Sequence, residues 1–146
     1  MSFLSSLDIS GSGLTASRLR MDVISENIAN STTTRTENGG PYRRKLVVYE
    51  PAQQSSFQHI LTSKLQEGGE QMGVKVSKIA EDPSDFTPVY DPSNPDANAQ
   101  GYVMMPNVDP IKETIDMMSV TRAYDANLTA FNAVKGMAVK ALELGR

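Results

Sequence analysis

Residues 108–146 constrain this chain more than any other stretch. Asp109–Pro110 supplies a helix N-cap followed by proline at the first helical position. Glu113 falls in the first turn, where a negative charge suits the helix dipole. The pattern predicts a helix running to about Leu144, with Gly145 as its stop. Beyond Arg122 the polar or small residues are mostly Asp125, Thr129, Asn132, Gly136, Lys140 and Glu143. They are spaced 4, 3, 4, 4 and 3 apart and form one narrow stripe, from which Asn127 and Lys135 stray. Tyr124, Leu128, Phe131, Val134, Ala138 and Leu142 lie off that stripe. A helix that is apolar around most of its circumference must be buried. A chain of 146 residues, 39% hydrophobic and 6% aromatic, has little other apolar material to bury it. Either the helix folds back on another to close a small monomeric core, or other subunits do the burying. Its many alanines permit close helix–helix approach.

The first thirty residues are helical too. Leu7, Leu14, Met21 and Ile28 recur every seven, with Ile24 beside them. Ile9, Ala16, Leu19 and Val23 form a second set near the opposite side, and Arg18 and Ser25 interrupt the first. A surface helix of a monomer needs one apolar stripe, so two stripes predict neighbours on two sides.

Between them the material changes. RRKLVVYEP reads as a strand stopped by Pro51, and GVKVSKIAED as a second, with a phase shift at Ile79. Ser55 to Gln66 is ambiguous between a short helix and a strand. FTPVYDPSNPDANAQGYVMMPNVDP holds five of the eight prolines, which forbids long regular elements. The expected architecture is α+β: long terminal α-helices packed as an antiparallel pair or coiled coil, with a small extended β-containing middle segment. The expected divisions are an N-terminal helix over 1–30, the middle over 31–107 and a C-terminal helix over 108–146. The junction NIANSTTTRTENGGPYRRK is expected to be a joint. Asn27 and Asn30 would cap the first helix, the Ser/Thr run would pair its own backbone, and Arg43, Arg44 and Lys45 would offer charge to a neighbour.

Bulk composition excludes several classes. The net charge of −3 gives no footprint for nucleic acid. The absence of cysteine rules out disulfides, thiol nucleophiles and thiolate metal sites. The start MSFLSSLDISGSG has neither the basic region nor the apolar core of a signal peptide, and no apolar run suffices to span a membrane. Eight methionines suit adaptable packing.

Catalytic and ligand motifs fare poorly. Gly11-Ser-Gly13-Leu-Thr-Ala16 fits the letter of a dinucleotide fingerprint but lacks the strand before it. Asp96, Asn98, Gln100 and Gly101 resemble the opening of a calcium loop, yet Asn107 stands where a bidentate glutamate is needed. His59 is the only histidine, so a transition-metal site is not expected. Glu81, Asp82, Asp85, Asp91 and Asp96 read as a solvated Pro-rich loop. No cofactor, metal or small-molecule substrate is expected.

Three stretches carry a resemblance. They are SGLTASRLRMDVISENIANSTTTRT, centred on Asn27-Ile28-Ala29-Asn30; GGPYRRK; and YVMMPNVDPIKETIDMMSVTRAYDANLTAFNAVKGMAVKALEL, centred on Thr121 to Asn127. Together they closely resemble the bacterial flagellar axial family of rod and hook proteins, and GGPYRRK resembles the mark of one proximal-rod member. The resemblance implies a structural subunit, not an enzyme, exported through the flagellar type III apparatus. It would assemble with copies of itself, other rod proteins, the inner-membrane ring and the export-gate base. The family reading implies a periplasmic shaft, with the terminal helices inside. The expected assembly interface comprises Leu7, Leu14, Met21, Ile24, Asn27, Ile28, Asn30, Arg43, Arg44, Arg122, Tyr124, Asn127, Leu128, Phe131, Val134 and Leu142. The alternative from another class is a soluble export-associated adaptor that holds a partner transiently through the same helices.

Overall fold

The computed structural model describes residues 3–37, 39–52 and 73–145. The ambiguous stretch Ser55 to Gln66, and His59 within it, lie outside the described residues. Two long helices, α1 (Phe3–Ala29) and α2 (Pro110–Leu144), enclose β1 (Lys45–Pro51), β2 (Val74–Glu81), β3 (Thr87–Tyr90) and β4 (Tyr102–Met105) in the chain order. The expected α+β architecture is what forms.

The helices lie antiparallel. Asn27 of α1 meets Glu113 of α2, Arg20 meets Asp116, Met21 meets Thr121, and Gly13 meets Asn127. On α2, Glu113, Met117, Val120, Tyr124, Asn127, Phe131, Val134 and Ala138 alternate 4 and 3 apart, and all are buried or half-buried. On α1, Ile9, Gly13, Ala16, Arg20, Val23 and Asn27 keep the same alternation and are also buried or half-buried. This is the repeat that keeps one seam facing a partner helix in a coiled coil. Asp109 caps α2, its carboxylate accepting from the Ile111 and Lys112 N–H groups, and the Gly145 N–H closes the other end on the Leu142 carbonyl.

The second neighbour of α1 is the chain's own ribbon. β1 and β2 pair antiparallel from Lys45↔Glu81 to Pro51↔Val74, with a bulge at Val48/Tyr49. Ser12 Oγ accepts from the Val74 N–H at 3.0 Å, and a Cβ on Gly73 would lie 1.9 Å from that oxygen, so only glycine allows this approach. Both α2 and the ribbon lie against the side of α1 that carries Ile9, Ala16 and Val23, and the Leu7, Leu14, Met21 and Ile28 stripe is half-buried.

The Pro-rich region contains a hairpin that its prolines obscured. β3 and β4 pair from Thr87↔Met105 to Tyr90↔Tyr102 as a separate two-stranded sheet. Pro88 is tolerated because both strands of such a ribbon are edges, where a missing N–H can face outward. Val103 points inward and is buried, while Tyr90 and Tyr102 meet edge to face with centroids 5.3 Å apart on the exposed side.

Candidate assembly interface and its polar junction

Among the described side chains of the helices, the buried residues sit only at one end of the pair. Ala16, Val23, Ile24 and Asn27 are buried on α1, and Glu113 and Val120 on α2. The polar stripe from Asp125 to Glu143 is exposed. So is much apolar surface. Ile111 is 74% exposed, Leu142 76% and Leu144 89%, and Ile115, Met118, Met137 and Val139 are also exposed. A helical hairpin forms, yet it leaves most of α2's apolar surface uncovered.

At the buried end stands Asn27, 1% exposed. Its Nδ2 donates to the Lys45 carbonyl at 2.9 Å and to Glu113 Oε2 at 3.0 Å. Its Oδ1 accepts from the Tyr42 hydroxyl and the Lys45 N–H, both at 2.9 Å. A carboxamide offers two donor hydrogens and two acceptor lone pairs, and all four are used. Glu113, also 1% exposed, takes a fork from Arg44: Nε to Oε1 at 2.6 Å and Nη2 to Oε1 at 2.5 Å. Arg44 continues to Asp116 at 3.3 Å and Asp82 at 3.5 Å. Its backbone N–H donates to Asn107 Oδ1 at 2.8 Å. Among the described residues, no buried side-chain nitrogen or oxygen lacks a partner.

The electrostatics follow from this crowding. Burial first, then the negative charges of Glu26, Glu113 and Glu81, push the Tyr42 hydroxyl up to about 12. Burial works against the Arg44 charge, but Glu113, through its hydrogen bond and its charge, then Asp82 and Asp116, outweigh it and raise its pKa. Hydrogen bonds from the Ser84 backbone and hydroxyl, then Arg44, hold Asp82 below the usual carboxylate value despite some desolvation.

This arrangement changes the expected roles of the joint. Asn30 does cap α1, its Nδ2 donating to the Glu26 carbonyl at 2.9 Å. Asn27 does not; its amide crosses to Lys45 and Glu113. The three basic residues are engaged within the chain. Arg43 donates to the carbonyls of Asp82 and Ser84, both at 3.0 Å, and lies 4.4 Å from the centroid of the Phe86 ring. Lys45 pairs with Glu26. The Ser/Thr run turns partly on itself, Thr33 Oγ1 reaching Asn30 Oδ1, while Thr34 Oγ1 reaches Asp96 Oδ2 in the distant polar turn. Glycines at positive φ, 39 and 40, carry the chain from there to Tyr42.

Of the other expected interface residues, Ile24 is buried. Leu7, Leu14, Met21, Ile28, Tyr124, Asn127, Phe131 and Val134 are half-buried, while Arg122, Leu128 and Leu142 are exposed. Glu113, Tyr42, Asp82 and Asn107 belong to the junction and were not expected there. One signal for Glu113 was present: a carboxylate at a position that continues the 4–3 apolar seam.

Two concavities flank this region. A cleft of about 410 Å3 is lined by Arg44, Asp82, Asn107, Lys112 and Asp116 among others. A groove of about 240 Å3 runs between α1, α2 and the ribbon past Ala16, Tyr49 and Val120. In the first, Asp82, Glu113 and Asp116 face Arg44, while Asp109 pairs with Lys112. Among the described residues, no helix is long and apolar enough to cross a membrane.

Family comparisons match the helical ends. The family described as flagella basal body rod protein matches residues 7–35, covering most of α1 and the turn after it. The family described as flagellar basal body rod FlgEFG protein C-terminal matches residues 99–144, covering β4 and α2. Two helices with a paired seam, an outer apolar surface and these matches define the class: flagellar basal-body rod proteins, which are structural and not enzymes. Full-length relatives narrow it. The flagellar basal-body rod protein FlgC of Bacillus subtilis (strain 168) is 56% identical over 100% of both chains. That of Borreliella burgdorferi is 41% identical over 99% of this chain and 98% of the relative. That of Salmonella typhimurium is 38% identical over the full length of both. The chain belongs to the FlgC family of rod proteins, structural subunits of the basal-body rod.

Proposed function

We propose that this subunit polymerises through its two terminal helices, residues 1–30 and 108–146, which form the inner layer of a shaft. The shaft crosses the periplasm and transmits motor torque to the hook. Segment 31–107 contacts neighbours outside that layer. Partners are copies of itself, other rod proteins, and the inner-membrane ring and export-gate base. Delivery is through the flagellar type III apparatus as a largely unfolded chain.

One observation carries this reading: α2 exposes Ile111, Ile115, Met137, Leu142 and Leu144 on a single chain. Such a surface is costly in water and marks an interaction site. Burying it in neighbours would contribute roughly 25 cal/mol for each Å2 of apolar area. A shaft that resists twisting needs large contacts of this kind, as obligate assemblies have.

A density map of purified basal bodies with this chain traced tests the reading. The expected result is stoichiometric presence, with α1 and α2 innermost and the exposed face of α2 covered by neighbours. Substoichiometric, peripheral density with that face open to solvent would leave the adaptor alternative standing instead.

A further inference from the structure

We infer that the β3–β4 hairpin of one copy docks on the outer face of α2 in the next, a head-to-tail contact between two different surfaces of this chain. This rests on the reading that the chain is a rod subunit, and it names one pair of surfaces through which successive copies meet.

The hairpin carries an uncovered apolar face. Pro88 pairs with Met104 and Tyr90 with Tyr102, so these four side chains share one side of the ribbon. All four are exposed, Tyr90 at 64%. Val103, on the other side, is buried. Among the described residues, β3 and β4 lie beside each other and beside no other helix or strand. A two-stranded ribbon is marginal alone in water and gains stability by laying its apolar face on a helix.

α2 carries a helix face of that kind. Ile111, Ile115, Met118 and Arg122 follow at spacings of 4, 3 and 4, so they line one side of the helix. All four are exposed, while Glu113, Met117 and Val120 on the opposite side face α1. The lengths match. Ile111 to Met118 spans about 10 Å at the helical rise, and Tyr102 to Met105 spans about 10 Å of strand. Met104 and Met118 supply adaptable packing, one on each surface.

Charge orients the contact. Between Lys78 and Lys112 the chain has no Lys or Arg, but six carboxylates. Most are engaged within the chain: Asp82 by Arg44, Asp91 by Ser93, Asp96 by Thr34, and Asp109 at the α2 cap. Asp85 is exposed, and its side chain meets no partner among the described residues. Arg122 is exposed and equally unpaired among them. Setting Asp85 against Arg122 places Met104 on Met118 and the tyrosine pair on Ile111 and Ile115. Opposite charges at the rim of an apolar contact fix its register.

The size of the contact explains how it stays silent before assembly. Four side chains on each surface fall well short of the roughly 20–30 residues a side of a stable pair. Two free chains are therefore not held together by it. Beside the other contacts of a rod it adds up, and because its two surfaces differ it repeats from copy to copy instead of closing as a dimer.

Cross-linking in purified basal bodies tests this. The chain has no cysteine, so Met104→Cys with Met118→Cys supplies its only two thiols. Mild oxidation should give a ladder of linked copies, and neither single variant should. Linkage within one chain, or equal dimer from Met104→Cys alone, would overturn the inference. Charge reversal is the second readout. Asp85→Arg and Arg122→Glu should each cut incorporation into basal bodies at least about tenfold, with the monomer's denaturation midpoint unchanged. The double variant should restore most of it, and a double no better than either single would overturn the inference. Full incorporation of the double-cysteine chain without a ladder would sink this contact and leave the assembly reading standing.

Discussion

Asn27 Nδ2 donates to Glu113 Oε2 at 3.0 Å, joining the last turn of one helix to the first turn of another across 86 residues of chain. This bond is one rung of the pair's axial register, together with Gly13 against Asn127. Sliding either helix by one residue would break it between two buried polar groups.

Replacing Asn27 with alanine should therefore cost about 2–4 kcal/mol of stability, because it strands the Lys45 backbone groups, the Tyr42 hydroxyl and one Glu113 oxygen. Urea denaturation of the monomer reads this directly. Asn27→Asp should be worse at neutral pH, where a second carboxylate faces Glu113, and should recover partly on acidification. A variant within about 0.5 kcal/mol of wild type would mean the bond is incidental.

Arg44→Lys keeps the charge but loses the fork on Glu113. A point charge on a flexible stem cannot reproduce two N–H bonds to one carboxylate oxygen at 2.5 and 2.6 Å. The expected loss is about 1–3 kcal/mol, larger than an exposed ion pair would give. Lys112→Ala, which removes the exposed pair with Asp109, supplies that exposed reference.

Stability should fall in alkali through Tyr42. Its pKa is about 12 in the folded chain against an ordinary 10. Below pH 10 the hydroxyl is protonated in both states and its contribution is complete. Between 10 and 12 the unfolded chain releases the proton while the folded chain holds it, so stability declines, by on the order of 2 kcal/mol. Denaturation midpoints measured from pH 9 to 12 should show this decline. The Tyr42→Phe variant, lower throughout, should decline less over that range, and parallel curves would refute the assignment.

Leu142→Asp separates assembly from folding. At 76% exposed, the side chain supports little within the chain, so monomer stability should change by less than about 0.5 kcal/mol. Motility and incorporation into basal bodies should nevertheless be lost, because a charge would be buried against a neighbour. Val120→Asp, inside the pair, should unfold the monomer itself. Normal swimming with Leu142→Asp would remove that end of α2 from the interface.

Deleting Thr33 and Thr34 should hurt folding and assembly more than deleting two residues near Ser93. The Thr33 carbonyl accepts from the Tyr42 N–H at 3.0 Å, and Thr34 reaches Asp96 at 2.8 Å. Among the described residues, Ser93 bonds only to nearby Asp91. Equal tolerance at both sites, read by soluble yield and swimming, would reduce the joint to an ordinary loop.

What could be read from the sequence was what is local. The ends of α2 follow from Asp109, Pro110 and Gly145, whose capping chemistry acts within a turn. β1 and β2 follow from alternation along a few residues. The apolar excess of α2 was legible because a helix's circumference is a property of its own sequence. The junction was not. Asn27 looks like a cap because its partners lie 18 and 86 residues away, and no periodicity links them. Arg43, Arg44 and Lys45 looked available to a neighbour because Asp82, Glu113 and Glu26 are brought beside them only by the fold. The β3–β4 hairpin was hidden because Pro88 reads as a breaker, and only its edge position excuses it.

Asn27 and Lys45 meet on the outgoing side of segment 31–107, and the Arg44 N–H meets Asn107 on the returning side. The segment therefore leaves and re-enters the helix pair at one spot, as a closed excursion. The entropic cost of such a loop grows only with the logarithm of its length. Residues can be added or removed far out on the excursion while the two helices keep their register. A fold built this way lets the girth of the subunit change without disturbing the pairing of its terminal helices.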